Sequence, residues 1–106
     1  MSHLTTHVLD ATAGVPAAGI GVVLSGPDGA EIARGVTDAD GRLALGPEML
    51  AHAEHTLTFA TGAYFARTGT ATFYPRVSIA FTVGDRPHHH VPLLLSPFSY
   101  STYRGS

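Results

Sequence analysis

Short apolar runs, separated by turn-forming residues, set the pattern of hydrophobic and polar positions along this chain. Gly and Pro recur throughout, and apolar runs of about four to eight residues lie between them, as is typical of short β-strands. The alternation is clearest at 76–83, where Val77, Ile79, Phe81 and Val83 share one face of a strand. The pattern therefore predicts an all-β protein, either a sandwich or a barrel.

The same pattern places the strands and leaves two short stretches open to helix. Strands are predicted at 4–10, 19–25, 30–37, 42–45, 55–60, 76–83, 88–95 and 98–103. The stretch 47–55 is rich in Ala, Glu, Met and Leu, and 62–67 directly follows a strand, so either could form a helical turn or two. Both are too short to change the all-β class.

Composition narrows the range of functions. The 106 residues suit one domain, 1–106, and the absence of cysteine excludes disulfides and fits a reducing compartment. A net charge of −2 gives no basic surface for nucleic acid or for an anionic membrane. No apolar stretch approaches the roughly 20 residues of a membrane span. Because the start also lacks the basic and apolar regions of a secretory signal, we expect a cytoplasmic protein.

The strand predicted at 88–95 begins with three consecutive histidines. Alternation puts His89 on the core face with the apolar residues that follow, and puts His88 and His90 on the opposite face with Leu94. An apolar residue on an outward face indicates that another subunit covers it. A partly desolvated histidine there can act as a general base near neutral pH. A solvated histidine cluster at a strand start is the alternative.

Two further polar residues are not assigned by pattern alone. Neither face of the strand 4–10 is cleanly apolar, so His7 is open to a surface, structural or functional role. Arg42 follows Asp-Ala-Asp-Gly at 38–41, which by itself indicates a turn followed by a solvated arginine.

Two patterns resemble metal sites, and both are incomplete. The Asp-x-Asp-Gly stretch lacks the later ligands of a calcium loop. His88 and His90 could hold Zn²⁺ only with a further ligand, and no Cys or spaced carboxylate motif accompanies them. We therefore predict no metal and no cofactor.

The tail 100–106 is rich in hydroxyls and follows a core strand directly. The last residues of a domain are commonly frayed. Here strand-like alternation continues to Tyr103, so we expect the tail to be tied into a sheet.

Five segments of the chain match a known family in order. They are LTTHVLDATAGVPAAGI, GVTDADGRL, TFATGAYFARTG, FYPRVSIAFTV and HHHVPLLLSPFSYSTYRGS. Through them the chain closely resembles the transthyretin-like 5-hydroxyisourate hydrolases over nearly its whole length. In that family the ending YRGS separates the hydrolases from the vertebrate thyroid-hormone carrier, which shares their fold.

The resemblance implies a fold and an assembly. The fold is a transthyretin-like two-sheet antiparallel β-sandwich with one short helix. The assembly is a homotetramer, in which edge strands join subunits into pairs and two pairs pack face to face. Active sites would lie in the channel where the pairs meet.

The resemblance also implies the reaction and the residues. The substrate is 5-hydroxyisourate, hydrolysed at a cyclic amide-like C–N bond to 2-oxo-4-hydroxy-4-carboxy-5-ureidoimidazoline in urate degradation. The implied catalytic residues are His7, Arg42, His90 and Ser106; His7 and Arg42 would also bind substrate, with Tyr103 and Arg104 lining or ordering the tail. The alternatives are a non-enzymatic binding protein that holds a small ligand in the tetramer channel, and a metal-dependent amidohydrolase that uses His88 and His90.

Two residues depart from the family pattern. Arg76 stands where Glu is usual, and His89 stands where Tyr is usual. Because alternation puts His89 on the side away from His90, we expect it to affect packing or stability rather than chemistry.

Overall fold

Two β-sheets and one short helix make up the computed structural model, which describes residues 2–106. The first sheet contains β1 (Leu4–Asp10), β2 (Val15–Pro16), β5 (Arg42–Leu45), β8 (His89–Ser96) and β9 (Ser99–Thr102). The second sheet contains β3 (Gly21–Ser25), β4 (Glu31–Val36), β6 (Glu54–Phe59) and β7 (Val77–Thr82), and α1 (Thr61–Ala66) follows β6. The predicted all-β sandwich with one short helix is confirmed. No helix within residues 2–106 has the length and apolar character needed to cross a membrane.

The strand order places the beginning of β8 next to the beginning of β1. The first sheet runs β2–β1–β8–β9, with β5 also pairing with β1, and the second runs β4–β3–β6–β7. The pairs are antiparallel except β1 with β8, which is parallel, a detail that the antiparallel expectation did not include. Its register sets Thr5 opposite His90 and His7 opposite Pro92. Residues at the start of each strand therefore meet at one end of the sheet.

Burial alternates strictly along β1 and settles which of its faces points inward. Leu4, Thr6, Val8 and Asp10 are buried between the sheets, so His7 lies on the outer face. The polar inner residues are satisfied locally: the Thr6 hydroxyl donates to the Val91 carbonyl at 2.6 Å. Asp10 accepts the Tyr64 hydroxyl at 2.8 Å. These bonds allow polar side chains in the core, and they explain why periodicity alone left His7 unassigned.

The two stretches with helical composition behave differently. The helix expected at 62–67 is present as α1, and Phe65 is buried against the core. The stretch 47–55 forms no helix up to β6. There the His3 ring accepts the Leu50 N–H at 3.1 Å, and Leu50 itself is buried. Tertiary contacts hold this loop instead, which overrides its weak helical propensity.

Two histidines form a buried pair on the inner side of the first sheet. His3 and His89 lie edge to face with ring centroids 4.7 Å apart. The His89 Nε2 accepts the Gly84 N–H at 3.2 Å. Burial lowers the pKa of His89, and the nearby positive or titratable groups, His3 and Arg86 first, lower it further. The predicted inward position of His89 is confirmed.

Candidate active site

A cavity of about 380 Å³, lined mainly by polar and charged residues, opens on the outer face of the first sheet. It is lined by Thr5, Thr6, Asp38, Arg42, Leu43, Ala44, His88, His90 and Ser106, and is called the outer cavity below. Three predicted site residues, Arg42, His90 and Ser106, thus come together although the sequence separates them widely. His7 lies directly beside this cavity, since its partner across β1 and β5 is Arg42.

Hydrogen bonds from one hydroxyl orient two of the histidines. The Thr5 Oγ1 lies 2.8 Å from His90 Nδ1 and 2.8 Å from His88 Nε2. The two imidazole rings stack, with centroids 6.2 Å apart and planes inclined by 24°. The link between the two histidines through Thr5 was not identified from sequence.

The surroundings of His90 favour its neutral form. Burial lowers the pKa of His90, and the neighbouring His88 and Arg42 lower it further, partly offset by a hydrogen bond with Thr5. A neutral imidazole has one free lone pair and can accept a proton from water. His90 therefore has the chemistry of a general base near neutral pH.

His7 is held by the turn that precedes β5. Its Nε2–H donates to the Asp40 carbonyl at 2.9 Å, which leaves Nδ1 as the acceptor. The side chain is half-buried on the outer face. This contact links the strand that carries Thr5 to the turn that positions Arg42.

That turn depends on one carboxylate and one glycine. The Asp38 carboxylate accepts the N–H groups of Asp40 and Arg42, both at 2.9 Å. Gly41 has φ +75°, and a Cβ there would lie 2.3 Å from the Val8 carbonyl oxygen, so only glycine fits. Arg42 consequently begins β5 with its side chain exposed on the outer face. A planar guanidinium there can donate two parallel hydrogen bonds to a bound anion or carbonyl.

The tail is bound to β8 through its glycine. Gly105 N–H donates to the His90 carbonyl at 2.9 Å, which confirms that the tail is tied into the sheet. A Cβ on Gly105 would lie 2.4 Å from Cδ2 of the His90 ring. Glycine thus lets the tail lie against the imidazole, and Ser106 then reaches the outer cavity.

Tyr103 and Arg104 lie in a different place from the other predicted site residues. They line a second cavity of about 410 Å³, with residues of β7 and with His89, His90 and Val91. They are absent from the lining of the outer cavity, although His90 borders both. In this chain they connect β9 to Ser106, which fits the ordering role rather than direct contact with a ligand in the outer cavity.

Sequence reasoning missed Thr5, and it placed His88 on the outward face with His90 without giving it a role beyond a possible zinc ligand. The signal for Thr5 was present but weak: it shares a face with His7 on β1. Its pairing with His90 depends on a parallel register that no local pattern reveals. Within residues 2–106 no cluster of three or more His, Cys, Asp or Glu side chains is arranged to hold a metal ion.

Comparison with known proteins identifies the family. Residues 4–105 match the model of the HIUase/Transthyretin family. The chain belongs to this family. A 5-hydroxyisourate hydrolase of Caulobacter vibrioides is 48% identical, with all of both chains covered. One of Mus musculus is 42% identical, covering 99% of this chain and 96% of that protein.

Solved structures of family members have the same architecture. The Klebsiella pneumoniae 5-hydroxyisourate hydrolase superimposes with a TM-score of 0.90 at 44% identity, covering 99% of this chain and all of that one. Sea bream transthyretin in complex with thyroxine superimposes with a TM-score of 0.88 at 32% identity, covering 97% and 94%. The family fold thus occurs both in a hydrolase and in a protein that binds thyroxine.

Proposed function

We propose that this chain is a hydrolase that opens the six-membered ring of 5-hydroxyisourate. The relatives at 42–48% identity over nearly the whole chain carry that name. The observation that carries the proposal is the position of His90, in one cavity with Arg42 and Ser106. A base, a cation and a hydroxyl around one cavity are the groups that amide hydrolysis needs.

The reaction needs two proton transfers, one from the attacking water and one to the leaving nitrogen. A water loses a proton to an imidazole, and its oxygen bonds to the ring carbonyl carbon. The C–N bond then breaks, and the leaving nitrogen takes up a proton. We assign water activation to His90, because its neutral form is favoured, and we keep His7 as a partner in proton transfer.

Arg42 and Ser106 would act on the substrate rather than on the water. Charge develops on the carbonyl oxygen during the attack, and a guanidinium beside it stabilises that charge. Arg42 is exposed at the outer cavity and free to do this. The hydroxyl of Ser106, which also lines this cavity, would orient substrate or water. Direct substrate contacts of Tyr103 and Arg104 stay a prediction.

We further propose one domain over 1–106 that works as a cytoplasmic homotetramer. Both β7 and β9 are edge strands, with a neighbour on one side only within residues 2–106. Every residue of β9 is exposed, and Tyr100 and Tyr103 are among the exposed large apolar side chains. Unpaired edges of this kind favour pairing with another chain.

A non-enzymatic binding protein is the second candidate. The likeness to a thyroxine-bound transthyretin supports it at the level of fold. Against it, the outer cavity is lined by two imidazoles and a guanidinium, and a carrier of apolar ligands needs none of them.

The deciding experiment follows the absorbance of freshly generated 5-hydroxyisourate with and without the protein. We expect the protein to accelerate the decay, and His90→Ala to bring it back to the spontaneous rate. His52→Ala, an exposed histidine in a distant loop, is the matched control and should stay active. Activity that survives strong chelation would support a metal-independent mechanism. A wild-type protein that leaves the decay unchanged would favour the binding protein instead.

A further inference from the structure

We propose that Thr5 is a positioning residue that sets the tautomer of His90 and connects it to His88. The inference rests on the proposed function, because it concerns the proton that His90 handles during hydrolysis. The observation is that one hydroxyl lies at hydrogen-bond distance from both imidazoles, 2.8 Å from His90 Nδ1 and 2.8 Å from His88 Nε2.

Counting protons limits what this arrangement can do. A threonine hydroxyl has a single proton to donate, whereas each neutral imidazole has one N–H and one lone pair. Thr5 can therefore donate to only one of the two rings, and the other ring must donate to it. The state of one histidine is thereby coupled to the state of the other.

Only one direction leaves His90 able to act as a base. If His90 Nδ1–H donates to Thr5 and the Thr5 hydroxyl donates to His88 Nε2, the lone pair of His90 is on Nε2. The His90 ring bonds to Thr5 through Nδ1, on the side of the ring away from that lone pair. In the opposite direction His90 carries its proton on Nε2 and becomes a donor. We assign the first direction to the resting enzyme and the second to the step that protonates the leaving nitrogen.

The hydrogen bonds through Thr5 allow the charge of the proton taken from water to pass from His90 to His88. As Nε2 of His90 accepts that proton, Nδ1 gives its own to Thr5, and Thr5 gives its proton to His88 Nε2. The positive charge then lies on His88, which is exposed in the single chain, instead of on His90, which is half-buried there. Solvated charge costs less than buried charge. When His90 protonates the leaving nitrogen, the same transfers run backwards and restore the starting state.

The other charged groups around His90 favour this displacement of charge. The titratable or charged side chains that act on His90 or line a cavity with it are His7 of β1, Asp38 in the turn before β5, Arg42 at the start of β5, His88 before β8, and Tyr103 and Arg104 of the tail. Arg42 beside His90 disfavours an imidazolium there. The one carboxylate of this set, Asp38, is engaged by the backbone of its own turn.

The test compares Thr5→Val with Thr5→Ser. Valine keeps the branched shape but removes the hydroxyl, so we expect kcat to fall by about 10- to 100-fold, less than the roughly 10²- to 10⁴-fold that a general base itself contributes. KM should change little, since Thr5 acts through His90. Thr5→Ser should restore most of the loss. Thr58→Val, the same change at a strand position in the second sheet, is the matched control.

A measurement that needs no activity separates this inference from the proposed function. The ¹⁵N shifts of the imidazole nitrogens should show His90 protonated on Nδ1 in the unmodified protein at neutral pH, and a shift toward the Nε2–H form in Thr5→Val. An unmodified protein whose His90 carries its proton on Nε2 would overturn the inference, even if Thr5→Val does not fold. So would a Thr5→Val enzyme with full kcat. Lack of hydrolysis in the unmodified protein would refute the proposed function but leave the tautomer result standing.

Discussion

The first sheet carries two pairs of histidines, one on each face, and they differ in the partners of their ring nitrogens. On the inner side, His3 accepts the Leu50 N–H at 3.1 Å and donates to the Arg86 carbonyl at 2.8 Å. On the outer side, His88 and His90 share the hydroxyl of Thr5. A backbone amide or carbonyl has a fixed polarity, whereas a hydroxyl can reverse its direction.

That difference separates structural histidines from functional ones better than position in the sequence does. His89 and His90 are neighbours, yet strand alternation puts them on opposite faces. A histidine whose two ring nitrogens both bond to backbone groups, such as His3, is locked in one tautomer and holds loops in place, whereas His7 has only Nε2 engaged in this way. One whose partner is a hydroxyl beside an open cavity can exchange protons. Substitutions on the outer face should therefore change turnover, and substitutions on the inner face should change stability.

Among substitutions that leave the His90 side chain in place, the largest effect is expected at Arg42. Arg42→Gln removes the cation beside the site of developing charge, so kcat/KM should fall by about 10²- to 10³-fold, as for loss of one stabilising donor. The melting temperature should barely change, because the side chain is exposed. Steady-state kinetics with thermal melting checks both. A large loss of stability would place Arg42 in the structural group instead.

A smaller effect on turnover is expected from Gly105→Ala. The added methyl would lie 2.4 Å from Cδ2 of His90, so either the ring or the tail must move. We expect about a tenfold fall in kcat with little change in melting temperature, since misplacing a base by a fraction of an ångström weakens catalysis. Gly29→Ala, which also adds one methyl group to a glycine but meets nothing within 4 Å, controls for general effects of such a change. Unchanged kcat would mean that the tail does not constrain His90.

The smallest predicted effect is a loss of folding stability at acid pH, which arises from the inner face of the first sheet. The pKa of His89 is lowered in the folded protein by burial, with His3, Arg86, His88 and His52 facing it. The unfolded chain therefore binds more protons, so stability falls as pH drops below about 6.5, the ordinary histidine value.

His89→Phe should flatten that dependence. It removes the titrating group, and it also removes Nδ1, which is buried without a hydrogen-bond partner in residues 2–106. Between pH 7.5 and pH 5, the melting temperature of the unmodified protein should fall by a few degrees more than that of the variant. An equal slope in both proteins would assign the acid sensitivity to other groups.

Sequence patterns predicted most of the strands and the outward position of His90, because strand alternation puts Val91, Leu93 and Leu95 on the core face and His90 opposite them. They could not place His7, since Thr6 and Asp10 are polar residues buried by specific hydrogen bonds. Nor could they find the contact of Thr5 with His90, which joins residues 85 positions apart.

The roles of the site residues came from the family resemblance and not from periodicity. From the sequence pattern alone, Arg42 is a solvated residue after a turn; only the fold brings it into one cavity with His90. The helical composition of 47–55 was misleading for a similar reason, because His3, far away in sequence, determines the conformation around Leu50. Long-range contacts decide both the role of Arg42 and the conformation around Leu50, and the pattern of one sequence does not reveal such contacts.

The most direct test applies one truncation to each face and measures the same two quantities. For His90→Ala we predict a fall in kcat/KM of about 10²- to 10⁴-fold with a nearly unchanged melting temperature. For His3→Ala, which leaves the Leu50 N–H and the Arg86 carbonyl without their partner, we predict a clearly lower melting temperature and near-normal kcat/KM of the folded protein. A His90→Ala protein that still hydrolyses 5-hydroxyisourate at the normal rate would contradict the account.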